Sequence, residues 1–128
     1  MYEICVEDDF SAAHNLRNYK GKCEKLHGHN YRVQIFIRGE KLDKSGMLAD
    51  FVEVKKALKK ILDKLDHQYL NEIPPFDKLN PTAENISKYI YDKLNLLFAR
   101  RSSLFAVSKV TVWESDTSSA SYGEASTM

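Results

Sequence analysis

The chain is short of the residues that mark the specialised classes of protein. Its 128 residues contain only two cysteines, Cys5 and Cys23, too few for a disulfide-stapled secreted scaffold. They could pair in principle, but a chain not destined for secretion keeps its thiols reduced. Neither sign of charge is in excess: nineteen basic against eighteen acidic residues leave +1. That excludes the basic footprint of a nucleic-acid binder and offers nothing to an acidic membrane surface. No apolar run approaches the roughly 20 residues of a membrane span. The opening, Met1 to Phe10, is acidic where a secretory signal is basic and then apolar. Internal repeats and low-complexity stretches are absent. What remains, 43% apolar and 29% charged, reads as one globular, cytoplasmic domain over residues 1–128.

Histidine is scarce too, with four in the chain, and that scarcity makes its clustering informative. Cys23, His27 and His29 fall within seven residues. His14 lies upstream at the end of an apolar-rich stretch, and His67 directly follows Asp66. Three neutral imidazoles suit a catalytic zinc that keeps its fourth position open. A fourth histidine beside a carboxylate, with a lone thiol, would supply proton transfer.

Periodicity places these residues. Tyr2, Ile4, Val6, Asp8, Phe10 and Ala12 share a parity with His14, predicting a strand whose face ends on that histidine. Residues 15–26 are polar, basic and loop-like. His27, His29, Tyr31, Val33, Ile35 and Ile37 line one face of a second strand. After a turn region from Gly39 to Gly46, Asp50 and Glu53 resemble a capping box. Phe51, Val54, Leu58, Ile61 and Leu65 then form a helical stripe stopping near Asp66-His67. The stretch Ile73–Asp77, with Pro74 and Pro75, is a loop. Thr82 caps a second helix with Ile86, Ile90, Leu94 and Leu97 as its stripe. Val110, Val112 and Glu114 alternate as a third strand, and Ser119 to Glu124 would pair with it after a turn near Asp116. The tail 125–128 reads as loosely held. The order strand, strand, helix, helix, strand, strand predicts an α+β fold: a four-stranded antiparallel sheet with two helices on one face. The other face would need cover, which points to oligomerisation.

His27 and His29, two apart on a strand, point the same way with Cα atoms roughly 6.5 Å apart. Gly28 between them allows close approach or a bent backbone. An adjacent first strand would bring His14 to the same ion. Cys23 is open to two readings: a fourth ligand closing a structural site, or a base or nucleophile above an open one. In the second, Lys20, Lys22 and Lys25 would help lower its pKa. Cys5, in a strand, reads as an inert small hydrophobe. Asp66 can hold the His67 imidazole in one tautomer, as in other acid–base relays.

Cys23-x-x-x-His27-Gly28-His29-Asn30-Tyr31, the Asp66-His67 pair, Asn80-Pro81-Thr82-Ala83-Glu84-Asn85, and Trp113-Glu114 with Thr117 and Ala120 occur in this order. Together they resemble the 6-pyruvoyl-tetrahydropterin synthase and 6-carboxy-tetrahydropterin synthase family, from about Phe10 to Tyr122. The resemblance implies that family's tunnelling fold, in which trimers close their sheets into a barrel and two trimers stack as a hexamer. It implies zinc held by His14, His27 and His29, with Cys23 as proton-abstracting base and His67, oriented by Asp66, as its relay partner. Glu114 corresponds to the pterin anchor, a carboxylate able to accept two parallel hydrogen bonds from a guanidine-like ring edge, and to a further member of the relay. Thr82 matches a threonine that helps hold the same ring.

The implied substrate is 7,8-dihydroneopterin triphosphate. Lys20, Lys22, Lys25 or Arg17 could meet its phosphates, although a solvated basic loop is the simpler reading. The three residues between Cys23 and His27 resemble the prokaryotic branch, which makes 6-carboxy-tetrahydropterin and acetaldehyde for 7-deazaguanine nucleosides such as queuosine. The biopterin branch carries a longer insertion there. Relatives serving folate synthesis carry a glutamate near the cysteine, and Glu24 stands beside Cys23. A non-catalytic, zinc-stabilised binding module is the alternative from another class.

Overall fold

A computed structural model describes residues 1–22, 24–99 and 105–124; Cys23 and the tail 125–128 lie outside the described residues. Two long strands, β1 (Tyr2–His14) and β2 (His27–Gly39), precede the helices α1 (Phe51–Leu62) and α2 (Ala83–Phe98). Strands β3 (Ala106–Ser115) and β4 (Ser118–Gly123) follow, and a short 3₁₀ turn, Leu70–Glu72, sits between the helices. The sheet is antiparallel throughout, in the order β1-β2-β3-β4. This is the expected ββααββ architecture.

One sheet face builds the core. Val6, Phe10, Tyr31, Val33, Ile35, Ile37, Val110 and Val112 pack against Val54, Leu58, Ile61, Ile86, Ile90 and Leu94 of the helices. The Asp50 carboxylate caps α1 by accepting from Val52 N at 2.9 Å. Thr82 Oγ1 caps α2 by accepting from Asn85 N at 3.1 Å.

Three details of the packing differ from the periodic reading. Phe51 is 53% exposed because it occupies the first turn of α1, ahead of the buried stripe. Leu65 is buried but lies beyond the helix end, in the turn leading to Asp66. In α2 the last core position is Phe98 rather than Leu97, which is only part-buried.

The third strand also starts earlier than its alternation suggests. Ile35 faces Val110 and Ile37 faces Val107, so Ser108 is an extra residue in a bulge. That insertion returns Val107 to the core face and hides the strand's first half from a period-two search.

The helix-free face is not an apolar surface awaiting cover. Arg38 pairs with Glu3 at 2.7 Å, Arg32 with Glu7 at 3.5 Å, and Gln34 donates to Glu7 at 3.0 Å. Trp113 Nε1 donates to Gln34 at 2.8 Å, under the Arg32 guanidinium. An antiparallel sheet can keep such a face in water, so this face supplies no apolar reason for cover. Cys5 also lies there, exposed rather than buried in a strand core. Desolvation, then Glu7 and Glu3, push its thiol pKa up, which makes it a poor nucleophile near neutrality.

Candidate metal centre and proton-relay pair

His14 and His27 are direct partners in the β1–β2 ladder, and His29 lies two residues along on the same face. Their rings converge, with centroids 4.7, 4.8 and 5.0 Å apart. His14 is 1% exposed, while His27 and His29 are part-buried. Gly28 needs no special conformation for this: it pairs with Ala13 in regular ladder, and an added Cβ would meet only Ala12 O at 3.5 Å. The expected close approach or bend is absent within the chain.

The backbone fixes which nitrogens are available. His14 Nδ1 donates to Pro81 O at 2.7 Å, and His27 Nδ1 donates to Lys25 O at 2.9 Å. A carbonyl can only accept, so both rings carry the Nδ1 proton, and each in its neutral form turns an Nε2 lone pair inward. Those two Nε2 atoms are 3.1 Å apart. Two lone pairs at that distance repel unless an electrophile lies between them.

His29 Nε2 is buried without a hydrogen bond. It lies 3.1 Å from Glu114 Oε1, out of line for a hydrogen bond. Burial lowers the His29 pKa, with His14 and His27 acting the same way against the opposing pull of Glu114. The ring therefore stays neutral, as a metal ligand must. One donor atom from each of His14, His27, His29 and Glu114 lies within 4.8 Å of the others. An orphaned buried nitrogen among neutral imidazoles and a carboxylate is the donor set of a borderline divalent cation. The residues present fit a metal ion.

Sequence reasoning missed the two carbonyls that orient the imidazoles, since backbone atoms leave no trace in residue type. It also treated Glu114 only as substrate anchor and relay member, not as a neighbour of the histidines. The missing signal was strand register. The β2–β3 ladder ends at Arg32↔Trp113, and one further step sets Glu114 opposite Tyr31.

The Asp66-His67 pair is held at the outer edge of β1. Asp66 Oδ1 accepts from Ser11 N at 2.9 Å, and His67 N donates to Ser11 O at 2.6 Å, so the pair is pinned to the outer edge of β1. Asp66 Oδ2 holds His67 Nδ1 at 2.9 Å, leaving Nε2 outward on a side chain 80% exposed. The pair is not at a helix end: it follows the turn after α1, with His67 in the left-handed region at φ 58°. His67 lines an open depression of about 500 Å³ together with His29, Ser11, Ala13, Gly28 and Asn30, so one imidazole of the cluster and the Asp66-His67 pair border the same surface hollow.

The Ser11 amide, then His67, hold the Asp66 pKa below its ordinary 3.8. Its carboxylate therefore stabilises the fold above the unfolded-state pKa, and that contribution is lost as pH falls through the lower, folded-state value. We expect wild-type protein to melt above Asp66→Asn at pH 7 and the gap to close below 3.8. A gap independent of pH would sink the charge-based account.

The remaining sequence candidates sit as follows. Thr82 Oγ1 serves as cap acceptor for α2, one residue after the Pro81 carbonyl that holds His14. Lys20, Lys22 and Lys25 are exposed in the loop before β2. Arg17 is spoken for: its guanidinium donates to Asn71 O, Phe76 O and Leu79 O at 2.6–3.2 Å. Glu24 is engaged too, accepting from Leu16 N at 3.2 Å while its own amide donates to Leu16 O.

The profile of the 6-pyruvoyl tetrahydropterin synthase family matches residues 3–125. A 6-carboxy-5,6,7,8-tetrahydropterin synthase of Haemophilus influenzae is 35% identical, over 97% of this chain and 100% of that protein. A putative 6-pyruvoyl tetrahydrobiopterin synthase of Caenorhabditis elegans is 37% identical over 84% of each chain. A solved 6-pyruvoyl tetrahydropterin synthase from Caenorhabditis elegans superposes with a TM-score of 0.78 at 30% identity, covering 98% of both chains. Matched along nearly its whole length in sequence and in fold, the chain belongs to the 6-pyruvoyl tetrahydropterin synthase family.

Proposed function

We propose that this protein is a zinc-dependent lyase that converts 7,8-dihydroneopterin triphosphate and one water to 6-carboxy-5,6,7,8-tetrahydropterin, acetaldehyde and triphosphate, on the route to 7-deazaguanine nucleosides such as queuosine. The observation that carries the reading is the inward set of Nε2 atoms on His14, His27 and His29. Zinc bound there supplies Lewis acidity to the substrate's side-chain hydroxyls and acidifies the neighbouring carbon–hydrogen bond.

The chain's own groups do the rest. Cys23, outside the described residues, takes the proton as thiolate. His67, held by Asp66 in the Nδ1–H tautomer, passes protons through its outward Nε2. Glu114 accepts the guanidine-like edge of the pterin, and Thr82 helps to hold the same ring.

The exposure of His67 on the outer edge of β1 fits a site completed between subunits. The outer edge of β4 has no ladder partner among the described residues, and β1 is paired on its outer edge only near Ala13 and Ser11. Such edges invite strand addition, and joining them head to tail closes a ring. The family resemblance would make that ring a trimeric barrel, or a hexamer of two.

The three residues between Cys23 and His27 favour the carboxy-forming branch, as does the Haemophilus relative. The pyruvoyl-forming reaction is the second reading, favoured by the Caenorhabditis relatives. Incubation with dihydroneopterin triphosphate decides between them. Acetaldehyde and a carboxy-pterin are expected. A pyruvoyl pterin would overturn the branch, and unchanged substrate with bound zinc would leave a non-catalytic zinc module.

A further inference from the structure

Tyr31 carries a polar atom that nothing in the chain satisfies. It lies two residues beyond His29 on the same face of β2 and is fully buried. Its ring stacks on Phe10 with centroids 4.8 Å apart, and meets His14 and His29 edge-on at 5.9 and 5.4 Å. Phenylalanine would make every one of these contacts. Only the hydroxyl distinguishes tyrosine here, and that hydroxyl is buried with no hydrogen-bond partner. A buried hydroxyl left unpaired costs folding free energy. Its presence therefore points to a partner acquired when the site is loaded.

Two observations say which partner. Continuing the β2–β3 register one step beyond Arg32↔Trp113 sets Glu114 opposite Tyr31 on the core face. The Glu114 carboxylate has His29 Nε2 as its polar neighbour, at 3.1 Å. That nitrogen makes no hydrogen bond to the carboxylate, and a cation on its lone pair would leave it no proton to give, so the carboxylate's donor must come from elsewhere.

We infer that Tyr31 is a positioning residue: its buried hydroxyl donates to the Glu114 carboxylate when the three imidazoles hold a cation, fixing that carboxylate beside the centre. The inference rests on the reading of His14, His27 and His29 as cation ligands.

A double-mutant cycle tests it. Apo wild type, Tyr31→Phe, Glu114→Gln and the double variant are titrated with zinc against a chromophoric chelator, and each apo form is melted. Tyr31→Phe and Glu114→Gln should each raise the zinc Kd about tenfold, as loss of an outer-shell partner does. The double variant should be no weaker than the weaker single, because the hydroxyl acts only through the carboxylate. Apo Tyr31→Phe should melt at or above wild type. Losses that add, or an unchanged Kd for Tyr31→Phe, would overturn the inference. So would a markedly lower apo melting temperature, which would betray a partner already present without metal. Wild-type protein that takes up no zinc would overturn the centre itself, and the positioning role with it.

Discussion

Replacing His29 by alanine is expected to take zinc content from near one per subunit to near zero and to abolish turnover without unfolding the chain. His29 is the imidazole whose Nε2 has no hydrogen bond in the protein, so its removal breaks none. Burial already lowers its pKa, a sign that the ring is desolvated rather than stabilised by its surroundings. The apo variant should therefore keep its stability to within about 1 kcal/mol, as substitutions away from core packing do. Removing the Lewis acid forfeits several kcal/mol of transition-state stabilisation, which at 1.36 kcal/mol per factor of ten is on the order of 10³-fold or more in kcat. Metal analysis, circular dichroism and turnover on one preparation make the check. Zinc retained at full stoichiometry would sink the three-imidazole centre. Zinc lost together with the fold would favour the structural module over the enzyme.

Much of that centre was legible in the sequence because strands translate spacing into direction. His27 and His29, two apart, had to share a face. His14 ended a stripe of the same parity, and a short antiparallel connection put it opposite His27. The helical stripes were legible for the same reason, although Phe51 and Leu97 show that periodicity does not fix where a stripe meets the core. Three things were out of reach. The bulge at Ser108 breaks the alternation by which a strand is recognised. The carbonyls of Pro81 and Lys25 depend on how loops pack, not on which residues they contain. The contact of Glu114 with His29 depends on the register between β2 and β3, which are separated in sequence by both helices. The polar face was harder to read for a simpler reason: Glu3, Glu7, Arg32 and Arg38 read as scattered charges until pairing makes them a mutually neutralising surface.

Mixing two inactive variants should restore activity that neither has alone, and this distinguishes a shared site from a self-contained one. His29→Ala removes one of the three clustered imidazoles and leaves the Asp66-His67 pair intact. His67→Ala removes the outer imidazole of that pair and leaves the cluster untouched. In one subunit His67 is clamped to the outer edge of β1, 80% exposed, and shares with His29 only an open surface depression. An acid–base pair that open to water cannot work in a desolvated site until something covers it, and a neighbouring subunit joined at that edge would do so. If each site takes its imidazoles from one subunit and its relay from the next around a ring, a site in a randomly assembled equal mixture is intact only when both donors are of the right kind. That happens in about one site in four for a head-to-tail ring. Dissociating the two variants, mixing them and reassembling should thus yield about a quarter of wild-type specific activity, while each variant put through the same steps alone stays inactive. A mixture that remains as inactive as its components would mean that the relay reaches the cation within a single chain, or takes no part in the reaction. Wild-type protein carried through the same cycle guards against a failure to reassemble.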